Sequence, residues 1–163
     1  MKIDFTELFQ KQLELDLDIQ NRHGVTYEET LGRRFLSLYV EIGELANATR
    51  CFKYWSNKPS EPRERAMDEY ADGLHFLLSL GIALDIKEKQ FEQFEADKDL
   101  SNLFLDMYEA IAKLTNRKDE ESYKETFIIF LKIASSLKMN KDDIFASYLL
   151  KLGENYHRQE TNY

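Results

Sequence analysis

The sequence predicts an all-α fold, a bundle of long helices. Three observations point there. Breakers are scarce, with 6 glycines and 2 prolines in 163 residues, so little interrupts a helix. Apolar residues recur at intervals of three and four along most of the chain, the period of an amphipathic helix. Two of these stretches each carry a pair of carboxylates, E-I-G-E from Glu41 to Glu44 and E-Y-A-D from Glu69 to Asp72. That spacing puts each pair on one helix face, a turn apart.

The elements follow in order. Asp4, with Glu7 three residues on, forms a capping box for a first helix. Its stripe is Phe5, Leu8, Phe9, Gln12, Leu15, Asp16 and Ile19. Gln12 and Asp16 either sit at the edge of that stripe or, in the case of Gln12 with its donor and acceptor, read a base edge. Residues 21–26 read as a turn, with His23 a loop histidine. Thr26 and Glu29 box the start of a long second helix that runs to about Tyr54. Trp55, the only tryptophan, follows a run of cations and aromatics; it either packs the loop or flanks a planar ligand.

Residues 56–65 are polar and hold both prolines, a break before a third helix. Ser60 suits its N-cap and Pro62 its first turn. That helix runs to about Leu84, and Asp85 and Glu88 open a shorter one over 86–94. A charged linker occupies 95–99. Helices over 100–114 and 119–137 have apolar faces suited to core and partner packing, with no assigned chemistry. Asn140, with Asp143 at the third helical position, caps the last helix. Lys151, Asn155 and Arg158 share one of its faces if it continues through Gly153. A basic last turn also compensates the helix dipole.

Length favours one domain over residues 1–163. Hydrophobic content of 43% and charged content of 32% are those of an ordinary globular chain. A net charge of −8 argues against non-specific nucleic-acid binding. A single cysteine, Cys51, excludes an intrachain disulfide. Residues 1–20 carry charges throughout and do not read as a signal peptide. No apolar run approaches the roughly 18 residues of a membrane helix. A cytoplasmic protein with no membrane partner is the expectation.

The acidic pairs carry the chemistry. Both lie beside apolar runs, where a carboxylate is costly to bury unless paired or metal-bound. Two such helices folded together aim Glu41, Glu44, Glu69 and Asp72 at one small volume. Clustered anions repel, and a hard divalent cation relieves that repulsion. An oxygen-only set suits Mg²⁺ or Mn²⁺ rather than zinc. With Lys and Arg near the end of the chain available to phosphates, the sum is metal-assisted hydrolysis of a nucleoside phosphate.

The stretch L-Y-V-E-I-G-E-L-A-N-A-T-R-C-F-K-Y-W-S, followed by D-E-Y-A-D-G-L-H-F, closely resembles the all-α dimeric dUTPases. These belong to the MazG-like superfamily of all-α NTP pyrophosphohydrolases, whose signature is ExxE…ExxD. Gln12, Leu15, Asp16 and Ile19 match the family's Q-x-x-L-D-x-x-I, and Lys151, Asn155, Arg158 and Gln159 its closing motif. The resemblance implies Mg²⁺-dependent hydrolysis of dUTP, with dUDP also accepted, to dUMP and pyrophosphate. It implies metal held by Glu41, Glu44, Glu69 and Asp72, with a carboxylate of the first pair, Glu41 before Glu44, handling the attacking water. Gln12 and Trp55 would line the uracil pocket. Lys53, Lys151, Asn155 and Arg158 would contact phosphate, and His75 would lie near the deoxyribose or support the second pair. Close packing would exclude a 2′-hydroxyl. Family members are homodimers whose sites can draw on both subunits.

Three other readings stand beside this one. A related pyrophosphohydrolase would act on other or several dNTPs. A di-iron carboxylate bundle is suggested by Asp72 and His75, but wants Glu-x-x-His twice. A helical interaction protein would carry its acidic pairs on solvated faces.

Overall fold

The computed structural model describes residues 1–162. Among them are six helices: α1 (Thr6–His23), α2 (Tyr27–Thr49), α3 (Arg63–Ala83), α4 (Leu100–Arg117), α5 (Glu120–Ser136) and α6 (Lys141–Glu160). Two short strands, β1 (Lys2–Asp4) and β2 (Gln90–Glu92), pair antiparallel, Ile3 opposite Phe91. The all-α expectation holds, with this small sheet added. No helix among the described residues is long and apolar enough to cross a membrane.

Helix α3 is the centre of the packing. It lies against α2, α6, α1 and α5, while α4 pairs with α5. Its face holds Tyr70, Leu74, Leu77 and Leu78, all fully buried. Each such side chain contributes about 1.5–3 kcal/mol on burial. Tyr70 stacks on Phe130 with ring centroids 4.1 Å apart and donates to the Phe130 carbonyl at 3.0 Å. Gly73 sits inside α3 because a Cβ there would come within 3.3 Å of the Phe130 ring. The helix gives up propensity for close packing.

Caps explain most boundaries. The Thr26–Glu29 and Asn140–Asp143 boxes are both formed. Asp99 and Asp119 cap α4 and α5 through their side chains.

Several boundaries differ from the sequence expectation. Asp4 lies in β1, and its carboxylate accepts from the Thr6 backbone and hydroxyl rather than forming a box with Glu7. Helix α1 continues through 21–23 and stops at Gly24, where φ of 63° favours glycine. Helix α2 ends at Thr49, because Arg50 takes the left-handed conformation at φ 58°. Ser60 bonds to the Ala48 and Glu61 carbonyls and caps nothing; α3 starts after Pro62. The expected helix over 86–94 is absent. Asp85 turns left-handed at φ 58°, and β2 then pairs with the N-terminal strand. Phe91 packs face to face on Phe127 at 4.0 Å, so burial across the sheet outweighs the local helical pattern.

Candidate active site

Helices α2 and α3 bring their acidic residues together. One carboxylate oxygen each from Glu41, Glu69 and Asp72 lies within 4.8 Å of the others. Glu69 is 5% exposed, and Glu41 and Asp72 are half-buried. Burial first, then the charges of Asp72, Glu69 and Glu44, push the Glu41 carboxyl up to about 7. Burial likewise raises Glu69 against the opposing charge of Arg65, and raises Asp72 against that of Lys151. Three anions held this way form a site under charge strain. Their oxygen-only donor set fits a hard divalent cation. Glu44 lies outside this oxygen group and is exposed, though close enough to act on Glu41.

Two cations brace the cluster. Arg65 Nη2 is 2.5 Å from Glu69. Lys151 Nζ reaches Asp68 at 2.7 Å, Asp72 at 3.2 Å and Glu154 at 3.2 Å, with its side chain 4% exposed. Burial alone would lower the Lys151 ammonium, but the bond to Asp68 and the charge of Asp72 hold it above the usual lysine range. Lys151 therefore faces the carboxylates. Asp68 carries no sequence motif; only its position one turn before Asp72 could have drawn attention to it.

A cavity of about 390 Å³ opens beside the cluster. Glu41 and Asp72 form one end, and Asn155 and Arg158 of α6 contribute to its wall. Gln12, Asp16, Ile19, Arg34, Phe76 and Ser79 line it further along. His75 also lines it, 4% exposed and stacked on Tyr148 at 4.1 Å. Its Nε2 lies 3.4 Å from the Tyr148 carbonyl, and its Nδ1 has no protein partner. Burial pushes its ring down to about 3, so it is neutral near pH 7. The Gln12 amide is held at both ends, donating to Asp16 at 2.9 Å and accepting from Tyr148 at 3.0 Å.

Lys53 and Trp55 do not join this cavity. They sit in the loop after α2, Trp55 64% exposed beside Phe52 and Tyr54, with Lys53 over the Phe52 ring. Arg34 and Ser79 were invisible as site residues in the sequence. Their signal was a polar group beside an apolar run, Arg34 before Phe35 and Leu36 and Ser79 between Leu78 and Leu80, with nothing to say that they converge on Asp16.

No curated protein sequence matches the chain. A family-level sequence profile described as dUTPase matches residues 4–163. A carboxylate cluster beside a cavity of about 390 Å³, in an all-α fold, agrees with that match. The chain belongs to the dUTPase family, and it is an all-α enzyme that hydrolyses dUTP.

Proposed function

We propose that the protein is a Mg²⁺-dependent dUTP diphosphatase that releases dUMP and pyrophosphate and also accepts dUDP. The observation that carries this reading is the convergence of Glu41, Glu69 and Asp72 oxygens within 4.8 Å at one end of the cavity. Those three residues, with Glu44 beside them, would hold the cation; Mn²⁺ satisfies the same hard oxygen set. When bound, the metal supplies charge neutralisation to the phosphates and lowers the cost of the charge that the leaving group acquires.

The chain's own residues supply the rest. Water oxygen bonds to phosphorus as the bridging P–O bond between the α- and β-phosphates breaks. The proton lost by the water passes to a Glu41 oxygen. In the metal-free cluster burial and neighbouring anions raise this carboxyl to about 7, and a bound cation would lower it toward the ionised form that accepts a proton. Arg158 and Asn155, on the α6 side of the cavity, orient the phosphates. Lys151 acts through Asp72, holding that carboxylate in place. Neutral His75, fixed against Tyr148, packs beside the sugar from the cavity wall. Close packing around the sugar would exclude a 2′-hydroxyl.

The protein acts as a homodimer in the cytoplasm. Exposed Leu36 and Val40 on α2 and Leu105 on α4 supply apolar surface for a second copy. Lys53 and Trp55 would then serve the partner's cavity rather than their own. Pyrophosphate release from dUTP, with and without Mg²⁺ and beside dCTP, dTTP and UTP, tests the reading. Strong preference for dUTP and dependence on the cation support it. Comparable turnover of several dNTPs would move the protein to the broader pyrophosphohydrolase group.

A further inference from the structure

Two turns from the carboxylates along α2 and α3, the cavity is lined by a polar cluster that the hydrolytic step does not use. At its centre is Asp16, 3% exposed. Asp16 Oδ1 accepts from Gln12 Nε2 at 2.9 Å and lies 3.5 Å from Arg34 Nη1. Oδ2 accepts from the Tyr27 hydroxyl and from the Ser79 hydroxyl, each at 2.8 Å. Both oxygens are engaged, so Asp16 works on its neighbours rather than on a ligand.

Arg34 is the neighbour most tightly held. Its Nε donates to Thr30 Oγ1 at 3.0 Å, and its Nη1 donates to Ser79 Oγ while pairing with Asp16. The guanidinium lies over the Tyr27 ring, 4.6 Å from its centroid. Nη2 has no protein partner among the described residues, and Arg34 lines the cavity. A rigid, donor-only group is thus presented in a cavity wall that holds the apolar Leu15, Ile19 and Phe76 as well as the polar Thr30, Arg33 and Ser37.

We propose that Arg34, clamped by Asp16, Ser79 and Thr30, is a specificity-determining residue that donates to the C4 oxygen of the uracil ring and rejects the C4 amino group of cytosine. The inference rests on the hydrolase reading above, which sets the α–β phosphate linkage at the carboxylates. Arg34 lies seven positions before Glu41 on α2. At about 1.5 Å per residue this is two turns, ~10 Å along the axis. A deoxynucleoside reaches about that far from its 5′-oxygen to the far edge of its base. The apolar residues take the ring faces, and Nη2 meets the edge. Uracil presents an acceptor at C4 and cytosine a donor. Two donors facing each other in a shielded cavity leave both unsatisfied, which is costly. An arginine that held phosphate here would serve every nucleotide alike.

The test is kcat/KM for dUTP and for dCTP with wild type, Arg34→Gln and Arg34→Lys, with folding checked by circular dichroism. Wild type prefers dUTP. Arg34→Gln, whose amide both donates and accepts, lowers the dUTP/dCTP ratio about tenfold or more. Arg34→Lys keeps a charge near Asp16 but lacks the planar fork; it lowers the ratio too and stands in if the glutamine variant does not fold. Equal loss on both substrates, with the ratio unchanged, overturns the proposal and leaves the dUTPase reading standing. A wild type with no preference between the two, or with no turnover, overturns both.

Discussion

Lys151 Nζ lies 3.2 Å from Asp72 and 2.7 Å from Asp68, buried at the back of the carboxylate cluster. A cation from the last helix thus holds one of the residues assigned to the metal. Removing it takes the nearest cation from part-buried Asp72 and leaves Asp68 with Arg65 alone, at 3.2 Å. Lys151→Met is expected to lower the melting temperature in EDTA by several degrees, for a loss of about 1–3 kcal/mol. Mg²⁺ then restores more stability in the variant than it adds to wild type. Equal melting shifts with and without the cation would mean that Lys151 and the metal site are uncoupled.

Glu41 sets a pH dependence. Its folded-state value, about 7, is above the ordinary 4.5. A raised value means that the folded chain binds more protons, so the contribution to stability is complete below 4.5 and is lost as pH rises to about 7. The cation needs the ionised form, so its stabilising effect grows across the same window. Thermal unfolding from about pH 5 to about pH 8, in EDTA and in Mg²⁺, should give two curves that diverge with pH. Parallel curves would contradict the assignment.

His75 should not appear in the pH–rate profile. Burial holds its ring at about 3, far below the ordinary 6.5. His75→Asn loses the stack on Tyr148 and lowers kcat/KM about tenfold, yet leaves the shape of the profile between pH 6 and pH 8 unchanged. A limb that vanishes in the variant would show that the histidine titrates after all.

Gly81 has the least room of the glycines for a side chain. A Cβ there would come 2.5 Å from the Tyr123 hydroxyl oxygen and 2.8 Å from the Phe9 ring. Tyr123 also donates to the Leu77 carbonyl at 2.6 Å, so it cannot move without losing that bond. Gly81→Ala should cost about 1–3 kcal/mol in denaturant unfolding, where an exposed helical glycine such as Gly153 would gain from the same change.

The acidic tetrads were legible because their information is local. Glu41, Glu69 and Asp72 sit on helices whose period is written in their own neighbours, and packing α2 on α3 suffices to bring them together. The Thr26 and Asn140 caps were legible for the same reason. Strand β2 was not, because its reason for existing is Ile3 and Phe127, far away in sequence. Lys151 was read as a phosphate ligand, and only the approach of α6 to α3 turns it onto Asp68 and Asp72. Arg34 and Ser79 carry no motif. Their meaning comes from a buried Asp16 that needs partners from α2 and α3 as well as from its own helix.

The carboxylate cluster is proposed to hydrolyse dUTP with a divalent cation. Pyrophosphate release from dUTP by wild type and Glu41→Gln, in Mg²⁺ and in EDTA, tests it most directly. Turnover by wild type in Mg²⁺ alone and a loss of at least about a hundredfold in the variant are expected, with the fold retained. Turnover that persists in EDTA, or a variant as active as wild type, would contradict it.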